Sequence, residues 1–175
     1  MTNRFADHLL VLPEDDANRR LVNGFLMNVN VNQRCVQALN EAGGWRNVLS
    51  AMQDPGVIAG LSNYPKRHLL LMIDFDQHAA QRLQHYADLR AALPPSVQGR
   101  VYLLGSLETP ERLRAVCGMQ LEAIGSQLAG HCQSPPVTAF WHHAHLLHNA
   151  PELARLVEQV QPFLICLPAP CRPRP

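Results

Sequence analysis

Lysine is almost missing from this chain: Lys66 is the only one in 175 residues, and the other cationic side chains are arginines. Any mechanism that needs two lysines, one on a phosphate loop and one at the chemistry, is thereby excluded. No apolar run reaches eighteen residues, so no membrane span is expected. The opening stretch Met1 to Asp7 is polar, and Leu9 to Leu12 is too short for the apolar core of a signal peptide. A cytoplasmic protein is the expectation. There is no glycine-rich phosphate loop, no HExxH pair and no serine in a nucleophile elbow. Aromatic and basic residues do not interleave as they do on single-strand-binding surfaces. The five cysteines, Cys35, Cys117, Cys132, Cys166 and Cys171, are odd in number and irregularly spaced. They read as buried thiols rather than a disulfide framework, with Cys166 and Cys171 a candidate pair on oxidation.

The composition that remains is that of a globular domain. Apolar residues make up 47%, and 15 basic against 14 acidic side chains give a formal charge of +1. This balance neither requires nor excludes a nucleic-acid partner. His8 to Leu12 and His68 to Ile73 are short continuous apolar runs, as expected of strands covered on both faces. Val101 to Leu104 reads as a further strand. Asn28 to Asn32 alternates like a half-buried strand, and Cys35 to Leu39 is its rival for a place in the sheet. Ala17 to Leu26, Trp45 to Met52 and Gln77 to Leu93 carry helical spacing. Asp54 to Tyr64 reads as irregular or weakly helical. A helix starts at Thr109-Pro110 and runs to about Leu128 with a break near Gly118. Gly130 to Pro136 reads as a loop, and Val137 to His148 and Glu152 to Val160 as two more helices.

Strands alternating with helices predict an α/β fold, with a mostly parallel central sheet flanked by helices and a helical carboxyl-terminal extension. The expected division is 1–130 for the α/β domain, 131–165 for the extension packed on it, and 166–175 for a proline-rich tail.

Acidic residues follow two of the predicted strands. Glu14, Asp15 and Asp16 leave the first, and Asp74 and Asp76 leave the strongest. Ligands of open parallel sheets sit outside the carboxyl ends of the strands. From an extended chain Asp74 and Asp76 would point the same way, with Phe75 turned into packing. Clustered carboxylates are costly unless a cation or a proton offsets them, and hard oxygen donors suit Mg²⁺ or Mn²⁺. Such an ion can hold a phosphate or phosphodiester. A Glu14 with a raised pKa can shuttle a proton. The bland alternative is that Asp15 and Asp16 cap one helix while Asp74 and Asp76 cap another.

A strand followed by Glu and a helix, then an apolar strand ending in Asp-x-Asp, resembles the Toprim domain of topoisomerases, primases, recombination proteins and OLD-type nucleases. The resemblance spans roughly Leu9 to Leu104. It implies a Rossmann-like Toprim fold, acid–base work for Glu14 and Mg²⁺ coordination by Asp74 and Asp76; Glu14 and Asp15, from the same acidic cluster, are candidate ligands beside them. Departures are Pro13 and Asp15 where a glycine usually flanks the glutamate, and Gln77-His78 where a small residue usually follows the aspartates. The implied activity is Mg²⁺-dependent phosphodiester or phosphoryl-transfer chemistry of a nuclease-like hydrolase, with nucleic acid as a candidate partner. The alternative is an inactive Toprim-like module that binds a larger protein, such as an ATPase or nuclease subunit, in a nucleic-acid-processing or defence complex. The chain also resembles a receiver domain, in which Asp15 or Asp16 would hold Mg²⁺, Asp74 would accept phosphate and Ser106 would supply the hydroxyl. The lysine that pattern requires is missing after Lys66.

Ser106 and Arg82 are further candidates for contact with a phosphate, and Glu108 for an extra ligand. A surface role is the competing assignment for Arg82. His142, His145 and His148 recur every three residues, and on a helix they would share a face able to take Zn²⁺ or Ni²⁺.

Overall fold

The computed structural model describes residues 5–132 and 140–166. Four parallel strands, β1 (His8–Pro13), β2 (Val36–Ala38), β3 (Arg67–Asp74) and β4 (Val101–Ser106), form one sheet in the order β2-β1-β3-β4. Around it lie α1 (Asp16–Met27), α2 (Trp45–Ala51), α3 (Pro55–Asn63), α4 (Ala79–Ala91), α5 (Pro95–Gln98), α6 (Pro110–Cys117), α7 (Leu121–Gly130) and α8 (Ala150–Leu164). This is the α/β architecture expected from the alternation of strands and helices.

Side chains alternate across each strand, and both sheet faces are covered. Leu70 of β3 with Tyr102 and Leu104 of β4 packs against α1, α6, α7 and α8. Leu69, Leu71 and Ile73, with Val101 and Leu103, pack against α2, α3, α4 and α5. That is why β3 reads as an unbroken apolar run. From β1 the chain turns outward to β2, then crosses back over β1 to β3. The reversal leaves a crevice between the carboxyl ends of β1 and β3, the place where open α/β sheets bind ligands.

Local chemistry explains the departures from the sequence pattern. Asn28 to Asn32 does not join the sheet. The Asn28 side chain accepts from the Asn30 amide, and the Asn32 side chain from the Arg34 amide, which closes turns instead. Only Val31 makes a strand-like contact, a single antiparallel bridge to Ile165. The rival segment supplies β2. Residues 55–63 form a true helix, because Asp54 caps it through the Gly56 and Val57 amides and Pro55 stands at its first position. The break near Gly118 is a left-handed helix cap with φ of 63°.

The helix expected over Val137 to His148 is corrected. Residues 137–139 lie outside the described residues. The remainder is a series of turns, with the His143 and Leu146 amides bonding three residues back, followed by one 3₁₀ turn at Leu147–Asn149. The His143 ring nitrogen accepts the His145 amide, which competes with helical bonding. His142, His145 and His148 therefore share no helical face. α8 runs longer at both ends than the sequence suggested and joins the same core as the sheet through Leu153, Leu156, Val160 and Leu164. Among the described residues no helix is long and apolar enough to cross a membrane. Residues 167–175, most of the predicted tail, lie outside the description.

Candidate functional site

Glu14 follows β1, and Asp74 ends β3 beside it. The Glu14 carboxylate accepts the Asp74 backbone amide at 2.8 Å, so the two acid-bearing strand ends meet. The amide of Trp45, first residue of α2, also favours the Glu14 carboxylate. Burial outweighs both contacts, with the Asp15 charge adding to it, and raises the Glu14 pKa.

Asp74 is 8% exposed. Burial pushes its carboxyl up to about 7. The amide of Asn18 opposes this, and the charges of Glu14, Asp15 and Asp76 reinforce it. Asn18 was not singled out in the sequence, yet it organises the acids. Its Nδ2 donates to Asp74 Oδ1 at 2.9 Å and to Asp15 Oδ1 at 3.1 Å, while its own Oδ1 is buried with no donor among the described residues. The signal was available: Asn18 stands three and four residues before Leu21 and Val22, on the face of α1 that packs on the sheet, where a polar residue is out of place. Asp15 has a structural duty as well, capping α1 through the Asn18 amide.

Asp76 does not extend the strand. Asp76 and Gln77 adopt left-handed φ of 43° and 62°. The turn is held by the carbonyls after β4: Glu108 accepts the Asp76 amide and Leu107 accepts the Gln77 amide. Asp74 and Asp76 thus do not project in parallel from an extended chain. Phe75 is fully buried, in the packing role expected of it. Asp76 reaches the site through Arg82, whose Nη2 donates to Asp76 Oδ2 at 2.6 Å.

Arg82 is not a surface residue. It is 7% exposed, its Nη1 donates to the Asp74 carbonyl, and its guanidinium lies 4.6 Å from the Trp45 ring centroid. These contacts lock the carboxyl end of β3 to α4 and α2. Ser106 ends β4 as the register partner of Asp74; it is 1% exposed and its Oγ has no hydrogen-bond partner among the described residues. Glu108 faces Arg112 and His145, at 3.9 and 4.0 Å, rather than completing a carboxylate cage.

Among the described residues no three His, Cys, Asp or Glu side chains are grouped so as to hold a metal ion. A cation bound wholly by protein does not fit. Mg²⁺ typically takes one or two carboxylates and leaves its other positions to water and substrate phosphate. Glu14 and Asp74, carried on the joined ends of β1 and β3, are carboxylates of that number and donor type. Compared with known protein families, with curated proteins and with solved structures, the chain matches none.

Proposed function

We propose that the crevice between β1 and β3 binds a divalent cation and carries out phosphoryl-transfer or phosphodiester chemistry. The observation that supports this is the buried Asp74 carboxyl, crowded by Glu14, Asp15 and Asp76, with the Arg82 guanidinium paired to the Asp76 carboxylate and not to that of Asp74. In that setting a carboxylate is stabilised by a cation or by a proton. Asp74 and Glu14 are the residues that would hold Mg²⁺ or Mn²⁺, which supplies positive charge against a phosphate oxygen. Without the cation, Asp74 takes up a proton near neutrality instead. Asn18 fixes the rotamer of Asp74, and Arg82 on Trp45 fixes the backbone that carries it.

Titration of the protein with Mg²⁺ and Mn²⁺, followed by amide NMR, tests the reading together with phosphomonoester and nuclease assays. The expected result is a shift of Asp74, Asn18 and Glu14 resonances and an activity that Asp74→Asn removes. Absence of any shift at millimolar metal would sink it.

A second reading has its own support. Glu14, Asp15 and Asp76 each have structural partners, as in a module that keeps the fold and has lost the chemistry. Such a module would serve as a binding unit for a larger protein.

A further inference from the structure

β4 is an outermost strand of the sheet, and an edge strand presents backbone groups that another chain can pair with. Here a side chain takes that place. Asn149 accepts the Gly105 amide at 3.0 Å and donates to the Gly105 carbonyl at 2.8 Å, as a neighbouring strand would. The segment that delivers Asn149, residues 141–149, is tied down at two more points. The Leu107 amide donates to the His145 carbonyl at 2.9 Å, and the Trp141 indole donates to the Leu128 carbonyl at 3.1 Å. The same segment braces the turn after β3, because the Leu107 and Glu108 carbonyls hold the Gln77 and Asp76 amides.

Under this strap lies a polar ring with nothing to bond. His148 stands edge-on to the fully buried Phe75, with ring centroids 4.6 Å apart at 77°. Both His148 ring nitrogens are buried and have no hydrogen-bond partner among the described residues. Burying an unpaired imidazole is costly, and burying an unpaired imidazolium costs more. The carboxylates of the neighbouring elements are committed elsewhere. Asp74 and Asp76, either side of Phe75, turn to Asn18 and Arg82, and Glu152 of α8 pairs with Arg90 and Arg155. Glu108 faces His145 at 4.0 Å and Arg112 at 3.9 Å, so it is His145 whose charge would find a partner. The residues outside the description contain no aspartate or glutamate. Burial accordingly pulls the His148 pKa down to about 4, the Gly105 carbonyl opposing this and the His145 charge adding to it.

We infer that His148 makes residues 141–149 an acid-released latch on the edge of β4: a proton on this ring is solvated only when the segment lifts, and lifting breaks both Asn149 bonds to Gly105 and the bond from Leu107 to His145. Gly105 then turns an unpaired amide and carbonyl outward, and the loop that holds the Asp76 turn loses its anchor. The lifted ring has the ordinary histidine pKa of about 6.5, above that of the closed ring. Protons therefore favour the open form between these two values, and opening increases as pH falls. The latch does not rest on the proposed phosphoryl chemistry.

Amide hydrogen exchange of the full chain from pH 7 to pH 5, corrected for intrinsic rates, tests it. The opening constant read at Gly105 and Leu107 is expected to rise about twentyfold, while the β3 amides stay protected. His148→Phe keeps a ring against Phe75 and is expected to abolish the rise; His148→Leu serves if that variant does not fold. His145→Gln is expected to keep it. The inference is overturned if these amides do not speed up in the wild type, if both His148 variants respond as the wild type does, or if His145→Gln removes the response. It is also overturned if the β3 amides exchange in step with Gly105, since that is general unfolding and not release of a latch.

Discussion

A carboxyl that ionises only near pH 7 ties stability to pH in a direction opposite to that of most acids. The folded value of Asp74 lies above that of the unfolded chain. Between about pH 4 and pH 7 the folded form therefore keeps a proton that the unfolded chain has released, and stability falls as pH rises. Asp74→Asn keeps the acceptor for Asn18 and removes the charge. It is expected to raise the unfolding free energy at pH 8 by ~2 kcal/mol, once water at the crevice is allowed for, seen as a higher urea midpoint, and to leave it unchanged at pH 4. His68 acts with the other sign. It is buried against Tyr102, with ring nitrogen and hydroxyl 3.1 Å apart, and burial followed by the Arg100 charge pulls its pKa down to about 4. From about pH 6.5 to pH 4 the unfolded chain binds a proton that the folded one refuses, so stability is lost on acidification. His68→Gln is expected to flatten this acid limb by ~2 kcal/mol, measured as the urea midpoint across that range.

At the level of elements, the contact of α1 with α7 is closer than side chains normally permit. A Cβ placed on Gly24 would stand 2.0 Å from the Glu122 carbonyl oxygen, and one on Gly125 would stand 2.1 Å from the Leu21 carbonyl oxygen. On an isolated helix, alanine for glycine gains about 1 kcal/mol. Here the helices must separate to admit the methyl. Gly24→Ala is expected to destabilise the protein by about 1–3 kcal/mol in chemical denaturation. This contact has a functional consequence, because α1 carries Asn18 against Asp74. Gly105 plays a similar part in the sheet, where a Cβ would lie 1.8 Å from the Ile73 carbonyl oxygen. Only glycine lets the end of β4 approach β3 closely enough to set Ser106 beside Asp74.

For the whole molecule, α8 completes the cover of one sheet face beside α1, α6 and α7. Its buried Leu153, Leu156, Val160 and Leu164 each contribute about 1.5–3 kcal/mol, against a net stability of about 5–15 kcal/mol for a domain of this kind. A chain ended after Leu146 is expected to lose cooperative unfolding and dispersed amide resonances. A sharp two-state transition in that truncated chain would mean that the segment is an appendage and not a part of the core.

Three of the four strands, most of the helices and the strand-end acids were legible in the sequence because their signals are local. An apolar run bounded by proline or aspartate, or Thr-Pro at a helix start, acts over a few residues. Glu14, Asp15 and Asp74 could be placed at strand ends for the same reason. The conformation of Asp76 could not, since its left-handed turn is imposed by carbonyls thirty residues away, nor could the burial of Arg82 on Trp45. Asn18 became a site residue only when α1 was laid on β3, and the burial of the Ser106 hydroxyl showed only when helices covered that sheet face. Sequence settled which residues are acidic or apolar and where most helices begin; pairing between distant segments settled which oxygens are buried, because desolvation depends on what the rest of the chain brings alongside.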